Sequence, residues 1–214
     1  MKTLTKETQE AITPTLALEL LKKGNDRFVK NLKINRNLLQ QASETSDGQH
    51  PFAVILSCID SRTSAELIFD QGLGDIFSVR IAGNIVNEDI LGSMEFGCKV
   101  AGSKIIVVLG HTKCGAVKGA CDHVEMGHLT GLLSKIKPAV DEEVDTKENR
   151  NANNANFVEN VAALNVNHSV QSIVERSPIL KELIENGQIG IVGGMHDIAT
   201  GEVVFYPNKY NVLD

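Results

Sequence analysis

The stretch Lys104-Ile-Ile-Val-Val-Leu-Gly-His-Thr-Lys-Cys-Gly-Ala-Val-Lys118 constrains the chain more than any other. Five apolar, mostly β-branched residues, Ile105 to Leu109, predict a strand buried on both faces. Gly110 ends the apolar run, His111 and Cys114 follow three residues apart, and Gly115-Ala116 opens a segment able to turn helical. A strand buried on both faces needs a covering layer above and below. An open α/β sheet of that kind carries its binding groups at the carboxyl ends of its strands. An imidazole and a thiol on one turn there make half of a zinc site.

The remaining pattern alternates between the two periodicities. Residues 1–12 read as a loose arm. Thr13-Pro14 predicts a helix start, with Leu16, Leu20, Leu21, Phe28 and Leu32 at helical spacing and Gly24-Asn25-Asp26 as a point where the segment can divide. Residues 35–50 are polar and read as a loop. A strand over 52–57 runs into Cys58-Ile-Asp60-Ser-Arg62, followed by a short helix over 65–70, a strand over 75–82 and a helix over 88–101. Beyond Cys114 the pattern predicts helices over 115–126 and 129–144, an asparagine-rich turn or helix start over 145–156, and a long helix from Val158. A short helix over 178–186 and strands over 188–192 and 202–206 follow, with Gly193, Gly194 and Gly201 in the loop between the strands. Alternating strands and helices imply an α/β fold: a mainly parallel central β-sheet flanked by helices. The expected organisation is one domain over 1–214, with an N-terminal helical arm (1–34) and an α/β zinc-binding body (35–214).

Composition narrows the function. A formal charge of −6 argues against a nucleic-acid surface, which needs a basic face. No apolar run reaches the ~18 residues of a membrane span. Hydrophobic residues make up 42% of the chain, enough for a core without staples. The four cysteines, Cys58, Cys98, Cys114 and Cys121, lack a disulfide-framework pattern and favour a reducing compartment. The polar start, Met1 to Glu10, has no signal-peptide core. A cytoplasmic protein is the expectation, a removed leader aside.

Three predicted strands end in polar residues: Cys58-Ile-Asp60-Ser-Arg62, Gly83-Asn84 and His111-Thr-Lys-Cys114. In a parallel sheet these ends lie along one edge, which would bring Cys58, His111 and Cys114 together. Two thiolates and an imidazole suit zinc, and three protein ligands leave a position open, as catalytic rather than structural sites do. Cys98 and Cys121 fall inside predicted helices and are not expected to ligate. Taken alone, the same residues also read as core cysteines, or as a Cys114 nucleophile with His111 as its base.

Cys58-x-Asp60-Ser-Arg62 with His111-x-x-Cys114-Gly115 some fifty residues on resembles the signature of the β-class carbonic anhydrases. The likeness extends through Val79-Arg80-x-Ala-Gly-Asn84, Glu95-Phe96, Ser177-Pro178 and Gly193-Gly-x-His-Asp-Ile-x-Thr-Gly201, covering roughly residues 14–206. The resemblance implies one Zn2+ per subunit on Cys58, His111 and Cys114, and reversible hydration of carbon dioxide to bicarbonate by zinc-bound hydroxide. It further implies a homodimer or homotetramer, and Asp60 orienting the hydroxide while Arg62 keeps that carboxylate ionised. Related readings keep the zinc but act on carbon disulfide or carbonyl sulfide, or close the site with Asp60 in a non-catalytic binding module.

One subgroup of that family binds bicarbonate at a second pocket built with a tryptophan, an arginine and a tyrosine. This chain has Ile55, Arg80 and His196 at those positions and no tryptophan. The resemblance therefore favours the plant-like subgroup, with water on the zinc and no such pocket. In that subgroup the substrate pocket is formed by Gln49, Phe77, Ala82, Phe96 and the Gly115 amide, with Gln49, Phe77 and Phe96 coming from a neighbouring subunit. Proton-shuttle candidates are His50, His123, His128, His168 and His196, each read from sequence as a surface residue.

Overall fold

In a computed structural model describing residues 3–207, five strands form one sheet. They are β1 (Ala53–Ser57), β2 (Ile76–Arg80), β3 (Ile105–His111), β4 (Gly190–His196) and β5 (Val203–Tyr206), in the order β2-β1-β3-β4-β5. The first four pair in parallel, and β5 closes the edge antiparallel to β4. The strand predicted at 105–109 is central, and all of β3 is buried. It runs two residues further than the apolar run, because Gly110 continues the strand. A side chain there would meet a methyl of Val166 at 2.6 Å, so only glycine lets the covering helix approach so closely. The ends of the predicted domain, residues 1–2 and 208–214, lie outside the described residues.

The helices are α1 (Lys6–Glu10), α2 (Pro14–Val29), α3 (Leu38–Glu44), α4 (Ala65–Ile68) and α5 (Glu88–Glu95), the last continued by a π-turn over Phe96–Val100. After β3 come α6 (Gly115–Cys121), α7 (Gly127–Leu133), α8 (Lys137–Glu142), α9 (Ala155–Arg176) and α10 (Pro178–Glu185). Successive strand residues point to opposite faces. Val54, Leu56, Ile106 and Val108 therefore pack under α5, α9 and α10, through Met94, Val170, Ile173 and Leu180. Ala53, Ile55, Ile105, Val107 and Leu109 pack against Leu18 and Leu21 of α2 and Ala65 and Ile68 of α4. A third cluster, of α6, α8 and the start of α9, lies beneath Cys58 and Cys114.

Caps fall where the sequence predicts helix starts. Thr13 Oγ1 accepts the Leu16 amide at 3.1 Å ahead of Pro14, and Ser177 Oγ accepts that of Leu180 at 3.1 Å ahead of Pro178. Several expectations are corrected. Residues 1–12 are not a loose arm: α1 is closed by a Thr5–Thr8 capping box. Its Gln9, 3% exposed, donates to the Pro51 and Ala101 carbonyls at 2.7 and 2.8 Å. The expected arm is docked on its own sheet through α2, which runs unbroken through Gly24-Asn25-Asp26. Asn25 serves that junction, donating to Gly201 O at 2.9 Å and accepting from Val203 N at 2.9 Å. The predicted loop 35–50 contains α3, capped by Asn37 and carrying a buried Gln41. The two helices predicted over 115–144 are three shorter ones. Gly193 and Gly194 belong to β4, pressed against Val166 and β5 respectively, rather than to a loop. Among the described residues no helix is long and apolar enough to cross a membrane.

Gly24 gives a direct test of the α2 junction. A β-carbon there would lie 1.8 Å from the Phe69 carbonyl oxygen. Gly24→Ala is expected to cost about 2 kcal/mol or more, lowering the midpoint of thermal unfolding by roughly 4–8 °C. Gly131→Ala, at an open position of α7, should not lower it.

Candidate metal centre

Cys58 leaves the end of β1, and His111 and Cys114 leave the end of the adjacent parallel β3, so pairing alone brings the three to one sheet edge. Cys114 returns towards His111 because Lys113 takes a left-handed backbone (φ 57°), with its amide held by Glu159 Oε1 at 2.8 Å. The two sulfurs and an imidazole nitrogen lie within 4.8 Å of one another, all three side chains buried. His111 Nδ1 faces the Thr112 carbonyl at 3.0 Å. Donation there fixes the tautomer and leaves Nε2 as a lone pair. That Nε2 is buried without a hydrogen-bond partner. A bare buried lone pair beside two thiols is costly unless something occupies it, and it matches the donor set and preparation of a zinc ligand.

The thiols are prepared electrostatically. The Cys114 thiol donates to Cys58, which is thereby pulled below the ordinary thiol range, while Cys114 is pushed up as the pair's proton holder. Cys58 Sγ also accepts the Gly83 amide at 3.4 Å. Burial raises Cys98 to about 12 and Cys121 to about 11. Those two remain neutral thiols.

Asp60 and Arg62 form a two-toothed contact, Arg62 Nε to Oδ1 at 2.9 Å and Nη2 to Oδ2 at 2.7 Å. The Arg62 amide adds a third bond, to Oδ1 at 2.9 Å. These bonds hold Asp60 well below the usual carboxylate range, and His111 contributes in the same direction. The carboxylate is therefore ionised at neutral pH, and the contact is lost only as pH falls below the ordinary carboxylate range.

Sequence reading missed the groups that hold this loop. Arg80 donates to the Cys58 carbonyl at 3.0 Å and the Asp60 carbonyl at 2.6 Å, so it braces the ligand loop from β2. Asn165 of α9 donates to Gly83 O at 2.8 Å, and Ser169 to Asn84 O at 3.0 Å, fixing the turn that touches Cys58. Arg80 carried a signal, a lone cation in a strand; Asn165 and Ser169, polar residues on a buried helix face, carried a weaker one. His196 is the corrected case among the predicted surface histidines. It is 3% exposed, pairs in register with His111, and has neither ring nitrogen bonded. Burial pushes it down to about 4, so it is neutral.

The expected pocket residues are more dispersed. Gly115 is exposed at the start of α6 with open space beside it, and Ala82 sits half-buried in the short 3-10 turn before Gly83. Gln49 is exposed. Phe77 and Phe96 meet edge to face at 6.3 Å, and Phe96 is 55% exposed. Together they line a groove with Val79 and Arg80 that does not include Cys58, His111 or Cys114.

A family model described as carbonic anhydrase matches residues 53–203. Carbonic anhydrase 2 of Mycobacterium tuberculosis is 34% identical over 206 residues, spanning 93% of this chain and 96% of that protein. The carbonic anhydrase of Mycolicibacterium smegmatis is 35% identical over 196 residues, spanning 89% and 92%. Among solved structures, tetrameric β-carbonic anhydrases from Sordaria macrospora superpose with a TM-score of 0.69 at 26% identity, covering 76% of this chain and 84% of that one. A Coccomyxa β-carbonic anhydrase in complex with acetazolamide also gives 0.69 at 26% identity, covering 76% and 74%.

Metal analysis tests the ligand set. The chain is expected to hold one Zn2+, and Cys58→Ser, His111→Ala or Cys114→Ser to weaken retention against a chelator by about 100-fold or more. Cys98→Ser and Cys121→Ser should keep the ion. Loss of metal in either would relocate the site.

Proposed function

The chain belongs to the β-class carbonic anhydrases, and from that membership we propose how its own residues carry out the reversible hydration of carbon dioxide to bicarbonate and a proton. The bare Nε2 of His111 between two thiols, with the Asp60–Arg62 fork beside them, carries the reading. Cys58, His111 and Cys114 hold the ion. When bound, zinc supplies the Lewis acidity that makes water a nucleophile near neutral pH. Two thiolates offset the ion's charge, so acidification is weaker than in a three-histidine site, and an oriented acceptor has to compensate. Asp60 is that acceptor. Its ionised carboxylate, held by Arg62, accepts a hydrogen bond from the attacking water and turns a lone pair towards carbon.

Phe77, Ala82 and Phe96 provide the apolar wall for carbon dioxide, and the Gly115 amide and Gln49 donate to bicarbonate oxygens. The aromatic groove of Phe77 and Phe96 lies apart from the ligands of its own chain. This supports a homodimer or homotetramer in which Gln49, Phe77 and Phe96 complete a neighbouring subunit's site. The Sordaria macrospora relatives are tetrameric. Engagement of both Asp60 oxygens by Arg62 supports an open rather than Asp-closed site. Arg80 is committed to two carbonyls, and Ile55 and His196 stand at the other two positions of the second bicarbonate pocket. These features favour the plant-like subgroup. Four unpaired, buried cysteines support a reducing, cytoplasmic setting.

Stopped-flow hydration from about pH 6.5 to 9 checks these roles. Asp60→Asn is expected to keep zinc and lose roughly 100-fold in kcat/KM, and Arg62→Lys about tenfold, since lysine lacks the fork. Because Asp60 titrates well below this window, any rise of activity with pH inside it persists in Arg62→Lys. Full activity in Asp60→Asn would remove its orienting role. Zinc without hydration of carbon dioxide would shift the substrate to carbon disulfide or carbonyl sulfide.

A further inference from the structure

Behind the turn that contacts Cys58 lies a cavity of about 210 Å3 that the hydration chemistry does not use. Its polar lining is Lys135, His168, Arg176, Asn165, Ser169 and Ser172, three basic side chains and three neutral ones. No carboxylate lines it, in a chain whose net charge is −6. Arg176 pairs with Glu88 at 2.6 Å and His168 with Glu142 at 2.5 Å, but both acids are largely exposed and stand outside the cavity. The side chains of Lys135 and Ser172 have no hydrogen bond or ion pair among the described residues.

The buried part of the lining is polar as well. Asn165 and Ser169 are 2% and 4% exposed; the Ser169 hydroxyl is spent on Asn84 O, and one of the two Asn165 amide hydrogens on Gly83 O. Asn165 Oδ1 is left as an acceptor. A guest that matches this arrangement carries negative charge towards Lys135 and Arg176 and an oxygen towards Asn165, whose amide can accept a hydroxyl hydrogen at Oδ1 or donate its second N–H. A hydrogen phosphate group has both, and its volume is well within the space.

We propose that this cavity binds a small phosphate oxyanion, either inorganic phosphate or the terminal group of a small phosphate ester, and that binding braces the turn behind Cys58. The bracing path is short. Asn165 holds Gly83 O, and the Gly83 amide donates to Cys58 Sγ at 3.4 Å. Occupation fixes Asn165 and Ser169, and through them the amide that stabilises the Cys58 thiolate. Phosphate binding depends only on the cavity, whereas its effect on the metal rests on the ligand set proposed above.

Calorimetric titration of inorganic phosphate into the zinc-loaded enzyme, with and without saturating azide on the metal, tests the site. One phosphate per chain is expected in both conditions. Lys135→Gln should weaken binding roughly fivefold and Ser172→Ala about twofold. Glycerol 3-phosphate, titrated in parallel, identifies the ester as the preferred form if it binds tighter and the free anion if it binds weaker. Competition by azide, no binding, or an unchanged affinity in Lys135→Gln overturns the site. For the coupling, saturating phosphate should slow chelator-driven zinc loss about threefold in the wild type and less in Lys135→Gln. Binding with no change in zinc loss overturns the coupling alone. Absence of stoichiometric zinc counts against the ligand set, and the phosphate titration still reads the cavity.

Discussion

Parallel pairing of β3 between β1 and β4 is the constraint on which the site depends. Its residues are buried on both faces, so the sheet must carry helices above and below, and the chain must cross over between strands. Parallel pairing then places the carboxyl ends of β1, β3 and β4 along one edge. Cys58 follows Ser57, the partner of Leu109, and His111 stands beside His196. Cys58 and the His111–Cys114 pair come from segments more than fifty residues apart, yet register brings them together before any specific polar contact forms.

The polar contacts then determine what that edge can do. A histidine with its Nδ1 on the Thr112 carbonyl presents one lone pair in one direction. A carboxylate bonded three times by Arg62 cannot swing freely towards a neighbouring cation. Arg80 and Asn165 act a layer further out, holding the backbone on which Cys58 and Asp60 stand. Each spends its hydrogen bonds on carbonyl oxygens, so the two rigidify the backbone beneath the site, Arg80 bringing a positive charge with it and Asn165 none. Such outer contacts hold the loop that carries Cys58 and Asp60 in one geometry.

Strong periodic signals translated directly into structure. The apolar run at 105–109, the Thr13-Pro14 and Ser177-Pro178 helix starts, and the long helix predicted from Val158 all became elements. The misread segments were held by tertiary contacts with no local signature. Helix α1 depends on Gln9 reaching Pro51 and Ala101, and the glycines of β4 look like loop residues until Val166 and β5 close on them. His196 was misplaced for the same reason, since its burial follows from strand β4 running four residues beyond its apolar stretch.

By itself the sequence determined the layer architecture, the meeting of Cys58, His111 and Cys114 at one sheet edge, and the Asp60–Arg62 pair. Each is encoded within a few residues, by periodicity or by donor types at short spacing. Only the tertiary structure decided which polar groups brace the site, that the amino-terminal helices dock on their own sheet, and that Phe77 and Phe96 line a groove without Cys58, His111 or Cys114 of their own chain. Those outcomes depend on which distant surfaces meet, and spacing along one segment carries no information about the partner it will find.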